Sequence, residues 1–224
     1  MTNVRLKPIA ILGGTFDPIH LGHVALADAA QKQLDLEEII WMPSGLPGHR
    51  GAPVAGAKHR LAMLELAVAG KPKSRIDAAE LQSKEQTYTV HTLQRLRRQF
   101  GEQQPLVVLL GTDSFLTLPS WLRWEELFDL AHFAIANRPG YLPGQSDTPK
   151  ELAAQMAQRS DRRERLAASP AGKIASFDMP QFDISASAIR ESIALGKPPC
   201  DLLAPAVLAY IQSNQLYRKE QSSS

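Results

Sequence analysis

The residues best suited to chemistry stand near the start of the 224-residue chain, in the stretch ILGGTFDPIHLGH at residues 11–23. An apolar run ends in Gly13 and Gly14, whose missing side chains let backbone N–H groups approach an anion. Thr15 adds a hydroxyl. Asp17 is placed to cap an incoming helix, and Pro18 to preset its first turn. Being three residues apart, His20 and His23 fall on one face of that helix, with Gly22 leaving space beside them. Two imidazoles near a helix N-terminus can donate to phosphate oxygens and favour negative charge growing there. Zinc is a weaker reading of the pair, because no Cys cluster, H-E-x-x-H string or third ligand completes a site. The spacing also fits neither the Walker phosphate loop nor the G-x-G-x-x-G fingerprint.

A second anion site is written near the other end. DISASAIRES, residues 183–192, opens a helix with Ser185 and Ser187 as N-cap candidates and puts Arg190 one turn inside. A guanidinium is always charged and forked to match phosphate oxygens. Two such sites at opposite ends of the sequence suit a triphosphate.

Positioning these groups requires a frame, and the rest of the chain supplies one. Residues 9–12 read as a strand, residues 24–34 as a helix, and EIIWMP as a second strand, which together make a parallel β-α-β unit. Helical patterns follow through Leu61–Val68 and Val90–Phe100, the latter stopped by Gly101. PLVVLLG is apolar on both faces, as a central parallel strand must be, and HFAIAN reads as another strand. RPGYLPGQS, from Arg138 to Ser146, reads as a surface loop, and KELAAQMAQRSDRRERLAA as one polar helix with a solvated charge run. A last strand at residues 174–177, a helix stopped by Gly196 and a C-terminal helix begun near Pro205 complete the series. The expected fold is α/β, a Rossmann-like doubly wound parallel sheet with a C-terminal helical segment. The chain is expected to form one domain, with an α/β core over 7–195, a helical part over 196–218 and a flexible tail over 219–224. In such sheets ligands lie beyond the carboxyl ends of the strands, near the point where strand order reverses.

Composition narrows the classes. Lys and Arg total 25 against 23 Asp and Glu, a net charge of +2 that leaves no footprint of a nucleic-acid binder. The single cysteine, Cys200, rules out an intrachain disulfide and fits a reducing compartment. The apolar runs are too short to span a bilayer, and MTNVRLKP is no secretory signal. These features point to a soluble cytoplasmic protein acting on small molecules, with no nucleic-acid or membrane partner.

GGTFDPIHLGH resembles the first signature of the HxGH nucleotidylyltransferases, and in full the form found in bacterial nicotinate-nucleotide adenylyltransferases. HLGH alone is shared with class I aminoacyl-tRNA synthetases; the eleven-residue string is far more specific. The resemblance implies transfer of AMP from ATP to the phosphate of nicotinate mononucleotide, giving deamido-NAD and pyrophosphate. It implies direct in-line attack with no covalent enzyme intermediate, and Mg2+ bridging the ATP phosphates. ISASAIR resembles the second signature, I-S-x-(S/T)-x-I-R. The implied catalytic residues are His20, His23 and Arg190, on the reacting phosphates. The implied nucleotide contacts are Gly13, Gly14, Thr15, Phe16, Asp113, Ser185, Ser187 and Ile189.

Matches between the two signatures concern the acceptor. GLPGHR resembles a P-P-H-K/R loop that approaches substrate phosphate; His49 and Arg50 match, while Gly48 stands where the family generally has proline. TYT, residues 87–89, resembles an S-Y-T segment whose backbone at Tyr88 and Thr89 meets the nicotinate carboxylate. LPSWLRWE implies Trp121 stacked on the pyridine ring and Trp124 in packing, and ANRPG implies Arg138 on phosphate. The similarity runs from about Lys7 to Arg218. Rival readings are an adenylyltransferase for pantetheine phosphate or nicotinamide mononucleotide, and a non-catalytic nucleotide sensor on the same fold. A pantetheine-phosphate enzyme has no use for TYT and LPSWLRW.

Overall fold

Six residues, IAILGG, form the first strand, β1 (Ile9–Gly14), which feeds α1 (Leu21–Gln33) and then β2 (Glu38–Pro43). The computed structural model describes residues 6–47, 52–83, 85–137, 148–180 and 184–218. A two-residue strand β3 (Leu46–Pro47) precedes α2 (Ala57–Val68), β4 (Ser74–Ile76) and another two-residue strand, β5 (Gln86–Thr87). Next come α3 (Thr89–Phe100), β6 (Leu106–Gly111), α4 (Thr112–Leu116), α5 (Leu127–Leu130) and β7 (His132–Asn137). The remaining elements are α6 (Lys150–Arg159), β8 (Ile174–Asp178), α7 (Ala186–Ala194) and α8 (Pro205–Ser213).

Among the described residues the main sheet runs β4-β2-β1-β6-β7-β8, with every neighbouring pair parallel. Strand order reverses between β1 and β6, where Ile11 is in register with Val108. That is the doubly wound arrangement, and it puts a crevice beyond the carboxyl ends of β1 and β6.

Side-chain alternation splits the interior into two cores. Ala10 and Leu12 of β1 join Trp41, Val107 and Leu109 under α1, α2, α7 and α8. Ile9 and Ile11 join Ile40, Val108 and Leu110 under α3, α5 and α6. Burial on both faces explains why these strands read as unbroken apolar runs. Each fully buried aliphatic side chain contributes roughly 1.5–3 kcal/mol. α8 is fastened to α2 by a 3.0 Å hydrogen bond between the Tyr210 hydroxyl and His59 Nδ1.

One predicted element is divided. Instead of a single helix over 150–168, α6 stops at Arg159 and a 3-10 turn covers Arg163–Ala168. Between them Ser160 bridges Ile174 of β8, the Asp161 N–H donates to the Ile174 carbonyl at 2.9 Å, and the Asp161 carboxylate pairs with Lys173. Pairing with the sheet edge outweighs the helical preference of the segment. The expected 138–146 loop and 219–224 tail lie outside the described residues. Among the described residues no helix is long and apolar enough to cross a membrane.

Candidate active site

A cleft of about 900 Å3 opens at the point where strand order reverses. Its floor is the junction after β1. A Cβ built at Gly13 meets nothing within 4 Å, so the room kept there is cleft space. At Gly14 the same atom would lie 2.9 Å from Phe16 Cε1, so this glycine serves the turn. Phe16 takes a left-handed φ of 49°, a conformation that costs energy outside glycine and concentrates at functional sites. Its ring is buried edge-on to His23, with centroids 5.0 Å apart. Thr15 also lines the cleft.

The histidines sit at the N-terminus of α1. His20 is its N-cap, in extended geometry, and the two rings stack with centroids 3.7 Å apart. The His20 N–H donates to His23 Nδ1 at 3.3 Å, which assigns the proton of a neutral His23 to Nε2. Burial pushes His20 down to about 4, so it is neutral near pH 7, and its buried Nδ1 has no hydrogen-bond partner among the described residues. At Gly22 a Cβ would stand 3.1 Å from that nitrogen, so a larger residue there would push on the imidazole.

Asp17 and Pro18 do not do what their position in the sequence suggests. The helix starts four residues after Asp17, and the Asp17–Pro18 peptide is cis. The Asp17 carboxylate, only 4% exposed, accepts from the Val54 and Ala55 N–H groups at 2.7 and 3.1 Å and from the Tyr217 hydroxyl at 2.7 Å. An aspartate with this many long-range donors is a junction, not a cap.

Arg190 reaches the same place from α7. Its Nη1 donates to the Asp17 carbonyl at 2.7 Å and lies 3.9 Å from Asp17 Oδ2, while Nη2 donates to Ser187 Oγ at 3.3 Å. Ser185 is the true N-cap of α7, accepting from the Ala188 N–H at 3.1 Å. Ser185, Ser187 and Arg190 all line the cleft. Ile189 does not: its side chain is 0% exposed and packs in the core, because its position on α7 faces the sheet. Its place in the second signature is a packing place.

The cleft is also lined by residues of α3, α4 and the turns near them. Tyr88 is the N-cap of α3 and Thr89 its first residue; Tyr88 makes no side-chain cap, since its hydroxyl donates to Gln86 Oε1 at 2.6 Å. The first N–H groups of α3 therefore carry no side-chain cap, and an anion is favoured beside them. Asp113 lies in the first turn of α4 and lines the cleft, as does half-buried Trp121. Trp124 instead packs edge-on against Phe128, with centroids 6.2 Å apart. His49, Arg50 and Arg138, together with Gly48, lie outside the described residues.

Arg60 of α2 carries no signal in the sequence beyond an arginine in a helix. It is 2% exposed and donates to the Thr15 and Ser44 carbonyls at 2.7 and 2.8 Å and to Gly45 O at 3.4 Å. This guanidinium staples the turns after β1 and β2 from behind the cleft.

Known proteins resemble this chain over most of its length. A family model described as cytidylyltransferase-like matches residues 11–192. A protein of Dechloromonas aromatica named "Probable nicotinate-nucleotide adenylyltransferase" is 44% identical over 213 residues, covering 95% of this chain and 98% of the relative. One of the same name from Laribacter hongkongensis is 42% identical over 220 residues, covering 98% and 99%. Among solved structures, Plasmodium falciparum nicotinic acid mononucleotide adenylyltransferase complexed with NaAD superposes with a TM-score of 0.70 at 21% identity, covering 94% of this chain and 97% of that one, a likeness of fold. With the matched span reaching from the first glycine junction to the helix that carries Arg190, and with these relatives matched over nearly their whole length, the chain belongs to the cytidylyltransferase-like family.

Proposed function

We propose that this protein is a nicotinate-nucleotide adenylyltransferase, moving AMP from MgATP to nicotinate mononucleotide with release of pyrophosphate. The observation that carries the reading is the convergence of the histidine pair and of Arg190, held on the Asp17 carbonyl, at one crevice that Tyr88, Thr89 and Trp121 also line. The names of the bacterial relatives support the choice of acceptor.

In this reading a phosphate oxygen of the mononucleotide attacks the α-phosphorus of ATP in line, and pyrophosphate leaves. The attacking phosphate is already ionised, so alignment and charge stabilisation are the protein's main tasks. Gly13, Gly14, Thr15 and the Phe16 backbone hold nucleotide phosphate. His23 presents Nε2–H, and His20, kept neutral by burial, gains basicity as phosphate oxygens arrive. Arg190 grips the departing phosphates with its fork, with Ser185 and Ser187 beside it. Asp113 meets the nucleotide. The N-terminus of α3 at Tyr88 and Thr89 receives the nicotinate carboxylate, and Trp121 stacks on the ring. His49, Arg50 and Arg138 are assigned to substrate phosphate on the resemblance of their motifs.

Magnesium enters as part of the substrate. Among the described residues no group of three His, Cys, Asp or Glu side chains is arranged to cage a metal, and Mg2+ on ATP is held by phosphate oxygens and water. ATP as substrate and Cys200 as an exposed free thiol suit a cytoplasmic setting.

The test is pyrophosphate release from MgATP with nicotinate mononucleotide, its amide and pantetheine phosphate as acceptors. Turnover is expected to be fastest with the acid. Preference for pantetheine phosphate or the amide would replace the acceptor, and ATP binding without release would make the protein a sensor.

A further inference from the structure

The chain beyond α8 returns to the cleft from the far end of the sequence. Gln215 and Tyr217 both take left-handed φ values, 52° and 61°, and turn the segment back after the helix. Two such non-glycine residues so close together persist only where surrounding contacts over-determine them. One of those contacts is visible: the Tyr217 hydroxyl donates to Asp17 Oδ1 at 2.7 Å, across 200 residues. Burial, and then the hydrogen bond to Asp17, push the Tyr217 hydroxyl far above its ordinary range, so it is a donor at any working pH.

Asp17 is the point through which this matters. Its Oδ1 is shared between Tyr217 and the Ala55 N–H, and its Oδ2 takes the Val54 N–H while lying 3.9 Å from Arg190 Nη1. The Asp17 carbonyl takes the same Nη1 at 2.7 Å. Asp17 therefore meets two cleft parts at once: Arg190, through its carbonyl and more distantly its carboxylate, and the segment of Ala52, Pro53 and Val54 that lines the cleft, through its carboxylate. Without the Tyr217 donor the carboxylate keeps only the Ala55 N–H on Oδ1 and the Val54 N–H on Oδ2, so it can tilt and change its 3.9 Å separation from Arg190 Nη1.

We propose that Tyr217 is a positioning residue: by fixing the Asp17 carboxylate it sets the orientation of Arg190 toward the nucleotide phosphates. The proposal rests on the adenylyl-transfer reading for its rate consequence, and on ATP binding alone for its affinity consequence.

Tyr217→Phe in the full-length chain removes only the hydroxyl and keeps the ring packed. Expected are a roughly tenfold loss in kcat and a roughly fivefold weaker Kd for a non-hydrolysable ATP analogue, the rate equivalent of about one hydrogen bond. KM for the mononucleotide should stay within about twofold. The deciding measurement is a double-mutant cycle with Arg190→Lys, read at a temperature where all four proteins are folded by circular dichroism. In the Arg190→Lys background the tyrosine substitution should add less than about twofold, because the fork it positions is gone. Equal losses in both backgrounds, or no loss in the single variant, overturn the proposal and leave Tyr217 a packing residue. A wild type that binds the analogue without turnover sinks the adenylyl-transfer reading, and the cycle on Kd still decides the role of Tyr217. A wild type that does not bind the analogue overturns both.

Discussion

At the scale of the residue, the two stacked imidazoles are not equivalent. His20 is held neutral by burial, whereas His23 has its Nδ1 engaged by the His20 N–H and carries its proton on Nε2. The second is thus an oriented donor before substrate arrives, and such preorganised donors account for large rate effects. His23→Ala should lower kcat by about 10²- to 10³-fold in the pyrophosphate assay. Turnover within a few-fold of wild type, with only KM raised, would make His23 a ground-state binder. Trp121 should divide the substrates. Trp121→Ala is expected to raise KM for nicotinate mononucleotide by roughly tenfold and to leave KM for ATP within about twofold, the loss of one stacked ring. Equal effects on both substrates would remove the tryptophan from the pyridine end.

At the scale of the element, the short parallel pair of β3 and β5 is what carries Tyr88 and Thr89 toward the cleft. Leu46 is in register with Gln86 and Pro47 with Thr87. The pair closes over Gly45, where a Cβ would fall 2.3 Å from the Glu80 carbonyl oxygen, a backbone atom that cannot swing aside. Thr92 of α3 donates to Glu80 Oε1 and completes the clamp. Gly45→Ala should cost roughly 1–3 kcal/mol in urea unfolding and raise KM for the mononucleotide more than for ATP. A wild-type midpoint and unchanged KM values would show that the two-residue pair does not position the acceptor. Arg60 does the equivalent task on the other side, tying three carbonyls of the turns after β1 and β2 to α2.

At the scale of the whole molecule, acid stability is coupled to β7, the strand next to the sheet edge. His132 opens β7 with no exposure; its Nδ1 accepts from the Lys173 N–H at 3.0 Å, so Nε2 carries the proton donated to Ser169 O at 2.8 Å. Burial, only partly offset by that last bond, lowers it to about 4 from 6.5. Between these values the unfolded chain binds the extra proton and the folded one does not. The stabilisation is therefore complete above pH 6.5 and is lost as pH falls toward 4, by roughly 3 kcal/mol. His20 acts in the same direction. Urea unfolding of wild type and His132→Gln at about pH 7 and about pH 4.5 checks this. The variant should lose less stability on acidification, and parallel losses would rule the imidazole out as their source.

The sequence by itself determined the things that depend on neighbours in the chain. The glycine junction after β1, the serine-capped start of α7, the apolar strands buried on two faces, the glycine stops at Gly101 and Gly196, and the parallel α/β order follow from local pattern, because each is encoded within a short contiguous stretch. The tertiary structure decided what depends on distant partners. Asp17 reads as a cap and is a junction; Ile189 reads as part of a nucleotide motif and faces the core; the helix through 150–168 breaks because Ser160 pairs with β8. Arg60 and Tyr217 gave no local sign at all. Their partners, backbone carbonyls and a carboxylate up to 200 residues away, exist only once the sheet has brought the two ends of the chain to one crevice.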